Sequence, residues 1–319
     1  MRIAHRLRSW LEAGEQPSIQ LRLRRDLDHG APESAEVRRL RRLVPRSGWA
    51  KEILNLVLPG GQWTSPGTTS RELYLPKYIA TNWRLIVLSD LGVTRSVPGV
   101  ARSAELLMAR ESGARGGLGG SGSEVCFTGN AVRMLVRFGY GDDPRVQRAV
   151  DWLVRHQKRD GGWHCFRSAR GTLDGWEALA AFAAIAPPER SSAVERAIRK
   201  GAEFYLDRGL VHEGRRPYPP WSRLHYPNHY YYDFLVGLDM LTALGYGDDR
   251  RMGEALDLLE ARRNPDGTWN LDAAHPDIPP EESYQPRTPI YPFVLEYPGR
   301  PSRWITVSAL TVLDRSGRL

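Results

Sequence analysis

Two cysteines, Cys126 and Cys165, are all that 319 residues contain. That is too few for a disulfide framework and makes a reducing, cytoplasmic setting the default. No run of 18 apolar residues occurs, which excludes a membrane-spanning helix and leaves peripheral contact with a bilayer as the one membrane role open. The first residues, MRIAHRLRSWLEAGEQ, have no apolar core and do not read as a secretory leader. Neither Cys-x-x-Cys nor His-Glu-x-x-His spacing is present, and the glycine-rich stretch RGGLGGSGS lacks the Lys-Ser/Thr of a phosphate loop. The formal net charge is +8. Acidic residues are nonetheless interspersed throughout, and no basic run alternates with aromatics, so nucleic acid is not the expected partner.

What the chain does have is a stretch that occurs twice. Residues 138–163 read FGYGDDPRVQRAVDWLVRHQKRDGGW, and residues 244–269 read LGYGDDRRMGEALDLLEARRNPDGTW. A repeat of this kind means that one supersecondary unit is stacked on copies of itself, because a single unit cannot bury its own apolar face. Each copy predicts a helix ending at a glycine, then an Asp-Asp pair that caps a second helix. Pro144 stands at an early helical position, where its missing N–H costs nothing. Val146, Ala149, Val150 and Leu153 recur at helical spacing. The second helix closes at Gly-Gly-Trp or Asp-Gly-x-Trp, with the tryptophan as an apolar plug between units.

The same pattern extends along the chain. Residues 78–91 and 97–109 form another unit, 172–211 a more divergent one without the Gly-x-Trp turn, and Pro59-Gly60-Gly61-Gln62-Trp63 a shorter echo. Residues 64–76, 212–230 and 270–302 read as loops or extended segments. The final helix, 303–313, has no visible partner. The first helix of each unit is more apolar than the second, which predicts inner helices buried on all sides and outer helices wet on one. The expectation is an all-α chain of about five to six helix pairs, 1–319 as one domain, with a helical segment 1–58 leading into repeat units over 59–319.

The Gly-Gly-x-Trp and Asp-Gly-x-Trp turns resemble the repeats of the terpenoid cyclase/protein prenyltransferase superfamily, from Gly60 to Leu313. The stretches LYLPKYIATNW, CFTGNAVRML, DGGWHCF, YYYDFLVGLDML and LEYPGRPSRWITVSALTVL resemble bacterial squalene-cyclase-like proteins. The resemblance implies an α/α toroid with a central cavity. The chain departs from the family in having no Asp-x-Asp-Asp acid and no Asp-Asp-x-x-Asp, and it lacks a second barrel. Glu124-Val125-Cys126 only partly matches the Asp-x-Cys zinc motif of prenyltransferases.

In a closed barrel the repeat register places residues 77–83, 124–130, 230–236 and 299–305 at equivalent positions around one mouth, with 172–176 beside them. The expected site is this ring, at the N-terminal ends of the inner helices. Cys126 at a helix N-terminus suits a nucleophile, because the dipole favours a thiolate; a small buried thiol is the plainer alternative. Asp174 and Asp233 near apolar helix starts suit acids, with a helix cap as the alternative. His229 lies in an aromatic loop over the mouth. Asn82, Trp83, Asn130, Trp176, Tyr231, Tyr232, Arg303 and Trp304 complete a substrate-binding wall whose rings would attract a cation. Zinc is a minor alternative, with His164, Cys165, His225 and His229 as donors, and no metal or other cofactor is expected. The expected function is an enzyme acting on a small hydrophobic, isoprenoid-like substrate by acid–base or nucleophilic chemistry. The alternatives are a non-catalytic module for a hydrophobic ligand or peptide, and a zinc-dependent prenyltransferase-like enzyme.

Overall fold

The computed structural model describes residues 3–31, 34–110, 116–118, 124–213, 216–229, 231–274 and 295–319. Its helices are α1 (His5–Glu12), α2 (Pro17–Arg22, running on as a wider turn over Leu23–Leu27), α3 (Ala35–Leu43), α4 (Gly48–Leu54), α5 (Ser70–Tyr74), α6 (Thr81–Asp90), α7 (Pro98–Met108), α8 (Val125–Leu135), α9 (Pro144–Arg155), α10 (Glu177–Ala184), α11 (Ser192–Leu206), α12 (Phe234–Ala243), α13 (Gly253–Ala261) and α14 (Arg303–Arg315). Strand structure among the described residues is limited to two-residue pairs, such as Trp269–Asn270 with Pro301–Ser302.

The capping logic read from the repeat holds. Asp143 accepts from the Arg145 amide at 2.8 Å to open α9, with Pro144 as its first residue. Asp249 does the same for Arg251 at 2.9 Å. The loop expected over 64–76 contains α5, which Thr69 and Glu72 close at its start by a reciprocal capping box.

The difference between first and second helices decides the layers. Every residue of α6 from Thr81 to Ser89 is buried, and α8 is almost as completely enclosed. In α9 burial is confined to one stripe, Val146, Ala149, Val150, Trp152 and Leu153. A helix apolar on all sides must lie inside, and one apolar on one side lies on the surface. The inner helices follow one another around a ring as α2, α6, α8, α10, α12 and α14, and α14 packs back on α2. There Arg22 Nη1 donates to Ser308 Oγ at 2.7 Å. Between α2 and α6, the Leu21 side chain lies against Gly92 at the end of α6. The array is therefore a closed α/α toroid.

The partner missing from the last helix comes from the other end of the chain. The turn at Gly161 docks on α11 of the next unit, where a Cβ on Gly161 would stand 2.3 Å from the Lys200 carbonyl. The turns at Gly61 and Gly267 dock in the same way on α7 and on Leu7 of α1. Helix α1 is thus the outer helix beside α14, held also by the Arg303 guanidinium over the Trp10 ring.

The tryptophan of the turn is more than a plug. Trp63 Nε1 donates to the Ile53 carbonyl, Trp163 to Leu153 and Trp269 to Leu259, at 2.8, 2.8 and 2.7 Å. Each indole adds a second donor to a carbonyl near the end of its own outer helix, which also accepts a backbone N–H. At the echo of this turn beyond α7, Leu118 takes the tryptophan's place. It exchanges hydrogen bonds with the Thr128 hydroxyl, as Trp269 does with Thr306.

Among the described residues no helix is long and apolar enough to cross a membrane.

The docking geometry predicts different costs for two glycines of similar backbone. Gly161 has φ +91° and Gly245 φ +92°, but a Cβ on Gly245 meets nothing within 4 Å. Gly245→Ala should cost about 1 kcal/mol, the penalty of a left-handed residue. Gly161→Ala should cost about 3 kcal/mol or more, because backbone must move as well. Urea midpoints of the two variants measure the difference, and equal midpoints would contradict the docking.

Candidate active site

A cavity of about 720 Å³ occupies the centre of the ring and takes side chains from all six inner helices. One end is enclosed by buried residues near helix starts: Trp176, His225, Asp233 and Trp304. The other end is open and is lined by the last turns of the inner helices, with Asp90, Arg137, Asp239 and Arg315. This reverses the expectation that the mouth lies at the N-terminal ends. The aromatic loop around residues 218–232 does not hover over an open mouth; it forms the floor.

That floor is packed and hydrogen-bonded. Trp83 donates from Nε1 to the Tyr74 carbonyl at 2.7 Å and stands edge-on to the His229 ring, with centroids 5.3 Å apart. Tyr78 leans on both rings, and its hydroxyl meets that of Tyr231 at 3.3 Å. Asn130 Nδ2 holds the His229 carbonyl at 2.8 Å. Leu224 exchanges hydrogen bonds with Asp272. Tyr230, which falls within the expected ring, lies outside the described residues, as do 275–294 of the extended segment and most of the glycine-rich loop.

Where floor meets cavity, two buried side chains pair. His225 Nδ1 lies 2.7 Å from Asp233 Oδ2, and both side chains are essentially fully buried. Asp233 also caps α12, accepting from the Val236 amide at 2.8 Å and from the His225 amide at 3.1 Å. The second neighbour of Nδ1 is the Arg223 carbonyl at 3.3 Å. Both neighbours are acceptors, so Nδ1 carries a proton. Nε2 is buried and has no hydrogen-bond partner. A buried polar atom of this kind asks for a function or a ligand.

Two ionisable side chains are buried on inner helices. Arg133 of α8 lines the cavity, stacked over the Trp176 ring at 4.9 Å, and its Nε and Nη2 have no partner. Its Nη1 is 3.9 Å from Asp90. Burial lowers the affinity of its guanidinium for a proton. Glu177 opens α10, where the absence of a side chain at Gly129 lets α8 and α10 touch. It is fully buried, both carboxyl oxygens lack partners, and burial pushes its carboxyl well above the ordinary 4.5. Tyr226, buried with an unpartnered hydroxyl, stacks on Trp304 at 4.2 Å.

The open end is ionic. Six arginines and four aspartates line the cavity. Arg22 and Arg25 pair with Asp26 at 3.2 and 2.5 Å, Arg137 pairs with Asp90, and Arg315 with Asp239 at 3.0 Å. Parallel inner helices point their negative dipole ends at this rim, which accounts for much of the arginine.

The structure does not bring the expected catalytic residues together. Of Cys126, Asp174, His229 and Asp233, only Asp233 lines the cavity. Cys126 lies at the start of α8, where its amide donates to Cys165 Sγ at 3.1 Å. A hydrogen bond with Cys165, followed by burial and the Glu124 carboxylate, raises its thiol far above the usual range. The expected thiolate is thus corrected to a thiol, because the helix dipole is outweighed. Asp174 is exposed and accepts from Trp221 Nε1 at 2.9 Å. His229 is part of the floor.

In the expected substrate wall, Trp176 and Trp304 face the cavity. Trp83, Asn130 and Tyr231 belong to the floor, and Asn82 is buried in α6. The Tyr232 hydroxyl donates to the Leu210 carbonyl at 2.8 Å, and Arg303 reaches back to α1, its Nε donating to the Trp10 carbonyl. Among the described residues no group of three or more His, Cys, Asp or Glu stands together to hold a metal, so the zinc reading has no donor set there. Arg133 and Glu177 are functional candidates that the sequence reading did not single out, and His225 entered it as a zinc donor. The usable signal was a lone charge inside CFTGNAVRML and inside GWEALAAFAA, helices that read as buried on every side.

No protein-family model matches the chain, and no curated protein matches it. Among the solved structures that resemble its fold are the following three. One is a protein from Actinoplanes, 18% identical over 95% of this chain and 90% of that one, with a TM-score of 0.46. The others are the type II terpene cyclase MstE from Scytonema without ligand, 14% identical over 95% and 88% with a TM-score of 0.47, and a variant of it with geranylgeranyl dihydroxybenzoate, 14% identical over 95% and 87% with the same score. Superpositions of this quality transfer no residue roles.

The state of Glu177 has a consequence for stability. Its folded carboxyl holds a proton that the unfolded chain has lost above about pH 4.5. Unfolding then releases a proton, so stability falls as pH rises, by about 1.4 kcal/mol per pH unit from this group until the folded form ionises. Glu177→Gln should flatten that slope between pH 5 and 8 in urea titrations. An unchanged slope would mean that Glu177 is ionised in the folded protein.

Proposed function

We propose that the chain is an enzyme of terpenoid-cyclase-like architecture. It works on a substrate with a large apolar part, held in the toroid cavity, by acid–base chemistry at His225. The observation that carries this reading is the His225–Asp233 pair. Asp233 is fixed by backbone amides, it fixes Nδ1–H of the imidazole, and it leaves Nε2 as a buried proton acceptor at the cavity wall. Asp233 serves as the orienting and charge-stabilising partner.

The wall beside the imidazole suits an apolar substrate. Trp176 and Trp304 supply aromatic surface; Ala180, Leu235, Met240 and Ile305 supply aliphatic surface. An aromatic lining also suits positive charge of the kind that develops when an alkene is protonated. Such a reaction needs a group to remove a proton at its end, and Nε2 can accept it. Enclosure at the floor keeps bulk water from that end of the cavity.

The test is turnover of linear polyprenyl substrates by the purified protein, followed by mass spectrometry of products formed in deuterated water. His225→Gln should fold as the wild type and lose about 10²–10⁴-fold in rate. Asp233→Asn should keep its cap, since asparagine also caps helices, and lose activity through misorientation of the ring. Cys126→Ala and Asp174→Asn should retain turnover. Full activity in His225→Gln would sink the assignment. Tight binding of such compounds without any product would favour a binding module instead.

A further inference from the structure

The two cysteines of the chain, 39 residues apart in sequence, come together at the start of α8. The Cys126 amide, in the first turn of that helix, donates to Cys165 Sγ at 3.1 Å, and the two thiols are hydrogen-bonded to each other. This amide is one of the donors that a helix start leaves without a partner inside the helix, and Glu124, the residue before α8, provides no side-chain cap. The Cys165 sulfur takes the place of that cap. Glu124 Oε2 accepts from Cys126 Sγ at 3.7 Å. Both cysteines are half-buried, and Phe166 next to Cys165 is 74% exposed, so the pair lies within reach of a small solute. Neither sulfur lines the central cavity.

We propose that Cys126 and Cys165 form a redox-active dithiol that hydrogen peroxide, a two-electron oxidant, closes to a disulfide. One sulfur already touches the partner's amide, so an S–S bond asks for side-chain rotation rather than movement of the backbone. Two donors, the amide and the thiol of Cys126, converge on Cys165, which makes it the attacking sulfur. Cys126 has the Glu124 carboxylate beside it instead. In the first step the Cys165 sulfur attacks one peroxide oxygen. An S–O bond forms, the O–O bond breaks, and the other oxygen leaves as water with the Cys165 thiol proton. In the second step the Cys126 sulfur attacks the sulfur of this sulfenic acid. The S–S bond forms, the S–O bond breaks, and the hydroxyl leaves as a second water with the Cys126 proton, which Glu124 is placed to relay. The two thiols have then given up two electrons and two protons, and the peroxide has become two waters.

The bond ties the start of α8 to the segment behind the Gly161-Gly162-Trp163 turn, at the exit of its own outer helix. Helix α8 also carries Phe127 beside Tyr74, with ring centroids 6.0 Å apart, and Asn130 on the His229 carbonyl. Closure between 126 and 165 therefore holds the floor as well as the hairpin, and it restricts the unfolded chain. In a reducing setting the pair rests as thiols, and closure responds to the oxidant.

Peroxide treatment of the full chain, followed by thiol counting and intact-mass measurement, tests the closure. Titratable thiols should fall from two to none, the mass should drop by two hydrogens, and no cross-link between chains should appear on a non-reducing gel. Dithiothreitol should restore both thiols. The urea midpoint should move up on oxidation and return on reduction. Cys126→Ser should hold a sulfenic acid on Cys165 that dimedone labels, and Cys165→Ser should take up no label at the same exposure. Two thiols that survive peroxide, oxygen gained in place of hydrogen lost, or a cross-link between two chains would each overturn the dithiol. Label on Cys126 and none on Cys165 would overturn the order of attack. An unmoved urea midpoint in the closed form would overturn the hold on hairpin and floor. The wild-type measurements need neither serine variant, so they decide the closure even where a variant misfolds.

Discussion

The structure depends on the close approach of each glycine turn to the outer helix of the next unit. A turn that carried a Cβ at Gly161 would push against the Lys200 carbonyl. With glycine, the turn seats, and the following indole reaches back to the carbonyl of Leu153. The same hydrogen bond recurs at Trp63 and Trp269. Each contact fixes the angle between one helix pair and the next, and a constant angle repeated around the array curls it into a ring. Closure then requires an outer helix for the last turn, which α1 supplies by packing Leu7 on Gly267. The chain's two ends are thereby neighbours, and the ring has no exposed terminal unit to cap.

Closure also decides where chemistry can occur. Inner helices that run parallel make one end of the central space a set of helix starts and the other a set of helix ends. The starts are covered by aromatic rings from α5, α6 and the 218–232 loop, packed so that Trp83, His229 and Tyr78 touch. The ends remain open, and their negative dipoles are met by Arg22, Arg25, Arg137 and Arg315. The cavity consequently runs from an ionic rim to an aromatic and aliphatic interior, with His225 and Arg133 as polar groups that the packing does not satisfy. An apolar interior with a few unsatisfied polar atoms is a common design for holding a ligand in one orientation.

Much of the fold was legible in the order of residues. The repeat, the Asp143 and Asp249 caps, and the contrast between enclosed and striped helices follow from local periodicity and turn chemistry, and all three recur in the structure. The α1 partnership was not legible, because it joins residues from opposite ends of the chain, and periodicity carries no information about that distance. The candidate site was legible only in part. Asp233, Trp176 and Trp304 were found from helix register. Cys126 was misread because its neighbour Cys165 comes from another unit, and the hydrogen bond between them reverses the effect of the helix start on the thiol.

The chain's own pattern of glycine, tryptophan and apolar spacing determined that it would form stacked helical hairpins, since hairpins with a buried face on each helix have no other way to exclude water. Which end of the ring would open was decided by tertiary structure alone. The 218–232 loop packs across the helix starts because its tyrosines, histidines and tryptophan find aromatic partners there. Once that end is sealed, the cavity faces the other way. The pairing of His225 with Asp233 has the same origin: the loop must fold back onto the start of α12 before a ring nitrogen and a carboxylate eight residues apart stand 2.7 Å from each other.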